Sequence, residues 1–327
     1  MTLKVFHFTE TKQGSPDALA ARLAQGVDFS HGRETPNPAA YDILIAAAPS
    51  KELLEASPQL RALIIPFAGL PENTRDLLRS YPQVAVHNAP YNYVATAETA
   101  LALMLASAKF VVEGDKHLRR NDWTVRYSDR PQLLLQGRTV LILGYGRIGR
   151  YMAPVCRALG MTTLGVRRTL QPEDQTESFA EIFGVDELHT LLPRADVLLI
   201  ALPGTSETTG LIGERELALL PADAVLVNVG RGSVVDERAL YQALVGRKLA
   251  AAGLDVWYRY PRNKAERTQT APSHYPFHEL DNAILSPHRA GWLGSEDESR
   301  MAFLAEMLNK AAAGQPLPYR LDLKRGY

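Results

Sequence analysis

The sequence predicts an α/β protein with two domains, each a doubly wound parallel β-sheet. Its 327 residues exceed what one small core needs and suit two domains of roughly 100–200 residues. Short apolar runs alternate with helical patterns along the chain, which is the order of βαβ units. A long stretch rich in Ala and Leu separates an earlier series of strands from a later one.

The composition is that of an ordinary folded protein. Hydrophobic residues make up 46% and charged residues 22%, which excludes disordered, collagen-like and coiled-coil classes. Lys plus Arg (36) equals Asp plus Glu (36), so neither nucleic acid nor a membrane is expected as a partner. No signal-peptide pattern and no apolar run of about 18 residues is present, and we expect a cytoplasmic protein. Cys156 is the single cysteine and the eight histidines are scattered, so no disulfide and no metal site is predicted.

The first series has four predicted strands with helices between them. The strands are Lys4–Thr9, Tyr41–Ala48, Arg61–Pro66 and Val84–Asn88, and the helices are Pro16–Gln25, Lys51–Ser57 and Asn73–Ser80. One helix is then predicted over 95–120, because this stretch has few helix breakers. We expect that helix to carry the chain into the second domain.

The second series has six predicted strands, enough to complete a doubly wound sheet. They are Thr139–Leu143, Thr162–Val166, Val197–Ala201, Val225–Val229, Ala251–Val256 and Ala283–Ser286. A closing helix over Glu296–Ala313 is long enough to return to the first domain. The predicted domains are therefore 1–100 with 296–327, and 101–295. The polar segment Arg259–Pro276 has no period and is predicted to be a surface loop.

The motif with the clearest mechanism is Gly144-Tyr145-Gly146-Arg147-Ile148-Gly149. A predicted strand precedes it and a helical pattern follows it, the context in which such a turn binds a dinucleotide. Gly144 permits the tight turn, Gly146 lets the backbone approach a pyrophosphate, and Gly149 allows close helix–strand packing. A βα turn without a ligand is the alternative, and the five further strands of the series favour the dinucleotide.

The end of the next strand indicates which dinucleotide is bound. Folds of this type place a carboxylate there for the ribose 2′-hydroxyl of NAD, but this chain has Val166-Arg167-Arg168-Thr169. Two guanidiniums and a hydroxyl suit a 2′-phosphate, so NADP(H) is predicted to be preferred, with NAD(H) still accepted. Two alternatives stay open: the turn is merely a solvated basic one, or Glu173 and Asp174 reach back from the following loop.

Polar residues follow three later strands, at the sheet edge where such folds bind ligands. The segments are Asn228–Gly232, Gly253–Trp257 and Leu285–Gly291. Taken singly, Arg231 is explained as a surface cation, Asp255 as a helix cap and His288 as a loop histidine. Because they follow successive strands of one sheet, together they predict a site that faces a nicotinamide.

These motifs resemble the D-isomer-specific 2-hydroxyacid dehydrogenase family over essentially the whole chain. The matching segments are ILGYGRIG, ALPGTSETTGLIG, VNVGRGSVVDERAL, AGLDVW, SPHRAGW and HNAPYNYVATAETALALMLA, the last resembling the family's interdomain helix. The resemblance implies a Rossmann cofactor domain inserted into a discontinuous flavodoxin-like substrate domain. It also implies hydride transfer between NADP(H) and a small 2-oxo acid or D-2-hydroxy acid.

The resemblance further implies a role for each matching residue. Arg231 would hold the carboxylate and the carbonyl oxygen of the 2-oxo acid, and His288 would be the acid that protonates this oxygen. Asp255 would orient the nicotinamide carboxamide, and backbone amides at Ala68 and Gly69 would bind the substrate carboxylate from the other domain. The other implied cofactor contacts are Tyr145, Arg147, Ile148, Thr169, Leu202, Pro203, Thr208, Val229, Gly230, Ala290 and Gly291, with Arg231, Asp255 and His288 again.

One position departs from the family pattern. The family places a glutamate five residues after the aspartate, where it pairs with the histidine, and this chain has Tyr260 there. Without a carboxylate partner, the histidine should lose its proton near the unperturbed pKa of about 6.5. Either a carboxylate from further along (Glu266, Glu279 or Asp281) takes that place, or Tyr260 hydrogen-bonds His288 and leaves it less basic, the alternative we prefer.

The function expected from these residues is a 2-oxo acid reductase of the glyoxylate or hydroxypyruvate kind. The alternatives are a nucleotide-sensing binding protein with little turnover, and a dehydrogenase of an unusual substrate such as formate, phosphite or a phosphorylated hydroxy acid. A homodimer is expected, because family members pair through their cofactor domains. The helix around Glu98–Val112 is the candidate interface, unless it is an interior helix of one chain.

Overall fold

The computed structural model describes residues 2–9, 15–294 and 296–325. The strands are β1 (Leu3–Phe8), β2 (Val27–Gly32), β3 (Ile43–Ile45), β4 (Ala62–Ile65), β5 (Ala85–Asn88), β6 (Thr139–Leu143), β7 (Thr162–Arg167), β8 (Glu181–Gly184), β9 (Val197–Ile200), β10 (Val225–Asn228), β11 (Ala251–Leu254) and β12 (Ala283–Leu285). The α-helices are α1 (Pro16–Ala20), α2 (Lys51–Ala56), α3 (Glu72–Leu78), α4 (Tyr93–Ala108), α5 (Val111–Leu118), α6 (Arg147–Ala158), α7 (Leu188–Leu191), α8 (Glu214–Leu219), α9 (Glu237–Val245) and α10 (Glu296–Ala312).

The chain divides into two compact units. The first is Met1–Asn92 with Trp292–Tyr327, and the second is Tyr93–Gly291. The domain boundaries expected from the sequence lie a few residues further along the chain, between residues 100 and 101 and between residues 295 and 296. Residue 295 is outside the described ranges. The first bound differs because all of α4, from Tyr93 onward, packs with the second sheet.

The first unit is a parallel sheet in the order β2-β1-β3-β4-β5, which is the flavodoxin-like order. One face packs on α10, where Met301, Leu304 and Leu308 meet Val5 and Ile43. Strand β2 was not predicted, and it pairs with β1 residue by residue from Leu3↔Val27. It is an edge strand with largely exposed side chains, VDFSHG, so its sequence carries no apolar run.

The helix predicted over 95–120 is wrong, because the chain breaks into α4 and α5 with a bend of 66°. Phe110 has a left-handed backbone at the start of α5, with φ 51°. The Arg130 guanidinium lies 3.7 Å from the Phe110 ring centroid, and Lys109 Nζ donates to the Leu133 carbonyl at 2.7 Å. Residues that come later in the chain therefore hold the break, and no Gly or Pro marks it.

In the described ranges, no single helix is long and apolar enough to cross a membrane. The bent pair of α4 and α5 passes that test by length and composition alone. Helix α4 has buried residues, among them Ala100, Leu103 and Met104, in a core shared with Val225 and Ala251 of the second sheet.

The second unit is a parallel sheet of seven strands in the order β12-β11-β10-β9-β6-β7-β8. The prediction of six strands missed β8, a four-residue edge strand that pairs with β7. Strand order reverses between β6 and β9, which is the point where doubly wound sheets form a ligand crevice. The expected fold class, two parallel-sheet α/β units, is confirmed.

Candidate active site

The glycine-rich turn lies at the point where the strand order reverses. Gly144 has φ +102°, and a Cβ there would lie 2.9 Å from the Ala201 carbonyl. The amides of Gly144 and Tyr145 both donate to the Val166 carbonyl, at 3.1 and 3.0 Å. Because the conformation and the close approach both exclude a side chain, glycine is required at position 144.

The N-terminus of α6 is open for an anion. Gly146 caps it without a side-chain hydrogen bond, the first turn has no acidic residue, and a Cβ at Gly146 would meet nothing within 4 Å. Gly149 is tightly packed, since a Cβ there would lie 2.9 Å from the Gly144 carbonyl oxygen. Backbone amides at a helix N-terminus, with space in front of them, fit a pyrophosphate. The arrangement fits a dinucleotide cofactor, which would place its phosphates on these amides.

The basic turn after β7 is paired with a carboxylate, which is one of the alternatives that the sequence left open. Arg167 Nη1 donates to Asp174 Oδ1 at 2.6 Å, and Arg150 Nη2 donates to the same oxygen at 3.0 Å. The Gln171 amide donates to the other oxygen at 2.8 Å. Burial raises the pKa of Asp174, but the Gln171 amide and Arg167 outweigh it and leave the pKa below its ordinary value. Asp174 thus does reach back, while the Glu173 side chain lies outside the described residues.

Arg168, the second arginine of this turn, pairs with Glu207. Its Nη1 donates to Glu207 Oε2 at 2.7 Å, and half of the Glu207 side chain is exposed, 53%. Thr169 follows directly on the chain. This pair is therefore more open to solvent than the buried pair at Asp174.

Arg231 is positioned by a closed turn after β10. The Asn228 side chain accepts from the Gly230 amide and donates to the Arg231 carbonyl, both at 3.0 Å. A Cβ at Gly230 would overlap the Leu202 carbonyl, and one at Gly232 would overlap the Trp257 carbonyl. The turn packs against two neighbouring loops, and its exposed Arg231 guanidinium donates to the Gly230 carbonyl at 2.7 Å.

Asp255 joins the loop after β11 to the loop after β12. It is 1% exposed, and its carboxylate accepts from Ser286 Oγ and from the amides of Arg289 and Ala290, at 3.0 Å each. A buried carboxylate held by several donors is a rigid support. Since these bonds are to residues on both sides of His288, Asp255 fixes the loop that carries this histidine.

His288 has a left-handed backbone, φ +55°, and an exposed side chain. Its ring lies 5.3 Å from the Tyr260 ring, tilted by 53°. Partial loss of solvent around the ring lowers the pKa of His288, the Arg231 charge lowers it further, and Asp255 opposes both without restoring the ordinary value. Arg231, Asp255 and His288 are therefore electrostatically coupled at one edge of the sheet.

The preferred alternative for Tyr260 is partly wrong. Its hydroxyl accepts from the Trp257 amide at 2.9 Å, and no hydrogen bond between Tyr260 and His288 occurs in the residues that the structure describes. The ring, not the hydroxyl, contacts the histidine. The expected consequence, a less basic His288, agrees with the lowered pKa.

The replacement carboxylates considered for this position are engaged elsewhere. Glu266 binds Arg262 and Asn263, Asp281 binds Arg247 at 2.8 Å, and Glu279 lies 3.8 Å from His278. None of these three carboxylates pairs with His288 among the described residues.

The other predicted contacts lie at the same edge of the second sheet. Thr208 Oγ1 donates to the Pro203 carbonyl at 2.7 Å, which closes the loop after β9 next to Leu202. Val229 and Ala290 are buried, and Gly291 follows Ala290. Arg147 lies over the Tyr93 ring, 4.8 Å from its centroid, and Ile148 is half-buried beside it.

Ala68 and Gly69 belong to the first unit, after β4. The Ala68 carbonyl accepts from Asn88 Nδ2 at 2.6 Å. Their predicted role toward the substrate stays a prediction. No cluster of three potential metal ligands occurs within the described part of the chain.

Sequence reasoning left two positioning residues without a role. Asn228 and Ser286 lie inside quoted motifs: Asn228 binds the Arg231 carbonyl in its own turn, and Ser286 binds Asp255, which only the fold brings to it. An amide or hydroxyl directly at the end of a strand is the one signal that marks them beforehand.

A family model for the D-isomer specific 2-hydroxyacid dehydrogenase NAD binding domain matches residues 101–290. The glyoxylate reductase of Thermococcus litoralis is 34% identical over 273 residues, which cover 82% of this chain and 77% of the relative. The D-3-phosphoglycerate dehydrogenase of Archaeoglobus fulgidus is 31% identical over 299 residues, 89% of this chain, and the match spans about half of that relative, 53%.

A solved structure of a D-isomer specific 2-hydroxyacid dehydrogenase from Xanthobacter autotrophicus Py2, in complex with NADPH and MES, superimposes with a TM-score of 0.77. It is 25% identical, and the alignment covers 99% of this chain and 100% of that one. The match supports a nicotinamide cofactor, and the expected oxidoreductase class is favoured over a binding protein with little turnover. The resemblance seen in the sequence is confirmed: the chain belongs to the D-isomer-specific 2-hydroxyacid dehydrogenase family.

Proposed function

We propose that the protein is an NADP(H)-dependent reductase of small 2-oxo acids that forms D-2-hydroxy acids, with glyoxylate or hydroxypyruvate as the substrate type. The observation that carries this proposal is that Arg231, Asp255 and His288 follow the adjacent strands β10, β11 and β12, with Asp255 holding the loop of His288 and Arg231 acting on the charge of this histidine. The name of the Thermococcus litoralis relative, glyoxylate reductase, supports the substrate type.

Each residue of the site has its own role in the proposed reaction. When bound, the reduced nicotinamide supplies the hydride. The forked Arg231 guanidinium holds the substrate carboxylate and carbonyl oxygen and stabilises the negative charge that develops there. The protonated imidazolium of His288 donates a proton to that oxygen and becomes neutral imidazole, which takes the proton back in the reverse direction. Asp255 keeps the His288 loop in place, and we assign it the orientation of the nicotinamide carboxamide as well.

The cofactor contacts are proposed on the same basis. The amides at the start of α6 bind the pyrophosphate, and Arg168 with Arg167 recognises the adenosine ribose. NADP(H) is proposed as the preferred cofactor because guanidiniums favour a 2′-phosphate. NAD(H) is proposed as a second cofactor, since each of these arginines is paired with a carboxylate.

We expect the purified protein to oxidise NADPH with glyoxylate or hydroxypyruvate, and NADH more slowly with the same acids. Absorbance at acidic and neutral pH, across a panel of 2-oxo acids, measures both. NADPH binding without turnover of any member would contradict the reductase proposal and favour a nucleotide-sensing protein.

Tyr260→Glu should extend 2-oxo acid reduction to higher pH. The general acid acts only when protonated, and the pKa of His288 is lowered, so the wild-type rate should already fall below neutrality as pH rises. A carboxylate beside the ring favours the charged imidazole and raises that pKa. The measurement is kcat/KM against pH.

Tyr260→Gln is the matched control, because it shortens the side chain equally and adds no charge. It should lose the ring contact without moving the profile upward. An unchanged profile in Tyr260→Glu would show that position 260 does not act on the protonation of His288.

We also propose that the protein is a homodimer and that it is cytoplasmic. The interface predicted at Glu98–Val112 stays a proposal, with half of the α4 residues buried in its own unit. Exposed apolar side chains occur at Val111, at the end of this range, and beyond it at Leu118, Trp123 and Tyr127. Exposed apolar side chains grouped along a short stretch of chain are typical of an interface between subunits.

A further inference from the structure

The turn after β7 contains a balanced set of charges. Arg167 and Arg150 share Asp174, Arg150 also binds Glu177 at 3.2 Å, and Arg168 binds Glu207. Among the described residues in and around this turn, three guanidiniums therefore pair with three carboxylates. These carboxylates largely cancel the net positive charge that Arg167 and Arg168 alone would give the turn.

Asp174 is the most firmly held of these carboxylates. The side chain is 3% exposed, and its two oxygens accept from Arg167, Arg150 and the Gln171 amide. The anion cannot turn away into solvent without losing its hydrogen bonds to two guanidiniums and an amide. Because it is buried, water and salt screen its charge less than they screen the exposed Glu207.

The fixed Asp174 carboxylate next to Arg167 affects the affinities for NADP(H) and NAD(H) differently. A 2′-phosphate is attracted by the Arg167 guanidinium, but the Asp174 carboxylate, 2.6 Å from Arg167 Nη1, neutralises most of that attraction. A ribose 2′-hydroxyl carries no charge, so this neutralisation changes its binding little. The cofactor that loses affinity is therefore the phosphorylated one.

We propose that Asp174 is a specificity-determining residue that acts through Arg167 and reduces the preference for NADP(H), which lets the protein use NAD(H) as well. The proposal rests on the proposed use of a nicotinamide dinucleotide. It does not depend on the identity of the 2-oxo acid.

The test is equilibrium binding of 2′,5′-ADP and of 5′-AMP, measured by calorimetry, which needs no turnover. Asp174→Asn should tighten 2′,5′-ADP binding about tenfold, the order that removal of one buried charge produces, and leave 5′-AMP unchanged. Asn has the same size, and its single carbonyl oxygen can still accept from Arg167, although its amide nitrogen cannot accept from the Gln171 amide. Glu207→Gln is the matched control at the exposed pair and should change 2′,5′-ADP binding less. Unchanged or weaker 2′,5′-ADP binding by Asp174→Asn would overturn the proposal.

A double-mutant cycle tests the route through Arg167. The gain from Asp174→Asn should disappear in an Arg167→Ala background, and its persistence there would overturn the proposal. If Asp174→Asn fails to fold, the single arginine variants still test the proposal. Arg167→Ala should weaken 2′,5′-ADP binding less than Arg168→Ala does, and the reverse order would contradict the proposed neutralisation. Failure of both nucleotides to bind wild-type protein would instead remove the cofactor proposal itself, which separates the two failures.

Discussion

His288→Gln is expected to lower kcat/KM for 2-oxo acid reduction by about 10²–10⁴-fold, the usual contribution of general acid catalysis. Glutamine keeps a polar side chain of similar reach but has no titratable proton. The rate that remains should lose its fall with rising pH, because the lowered pKa of His288 is its proposed cause. Steady-state kinetics against pH measure both effects.

His278→Gln is the matched control, since His278 is an exposed histidine on the same unit, 71% exposed. It should leave the kinetics unchanged. A His288→Gln enzyme with wild-type rate and pH profile would exclude His288 as the proton donor.

Arg231→Ala is expected to lower kcat by about 10²–10³-fold, the loss seen when a donor to a developing oxyanion is removed. KM should rise as well, because the same guanidinium holds the substrate carboxylate. A second effect is diagnostic. The Arg231 charge lowers the pKa of His288, so the variant's residual activity should persist to higher pH than that of wild type.

Arg231→Lys tests whether the forked donors of the guanidinium are needed. It keeps the charge, so the pH profile should stay near that of wild type, while the rate should still fall. Arg215→Ala, at an exposed position on α8, serves as the control for loss of one positive charge from the unit. Normal KM and kcat in Arg231→Ala would contradict the proposed role of this residue.

Two of the four edge strands, β2 and β8, show where sequence patterns fail. Central strands such as β6, β9 and β10 are buried on both faces and have continuous apolar runs, TVLIL, VLLI and VLVN, so their positions were predicted to within a few residues. Strands β2 and β8 lie at edges, and their polar or half-exposed residues gave no such run. Pairing with a neighbour, not composition, makes them strands.

The sequence by itself determined the fold class, the glycine-rich turn with its requirement at position 144, and the family to which the chain belongs. These follow from local rules, since a turn conformation and a run of buried residues depend on neighbours in the chain. The tertiary structure alone decided the break at Phe110, the Tyr260 ring against His288, and the pairing of Arg167 with Asp174. Each of these depends on the distance and burial of groups from separate segments, and charge interactions are set by that geometry and not by order along the chain.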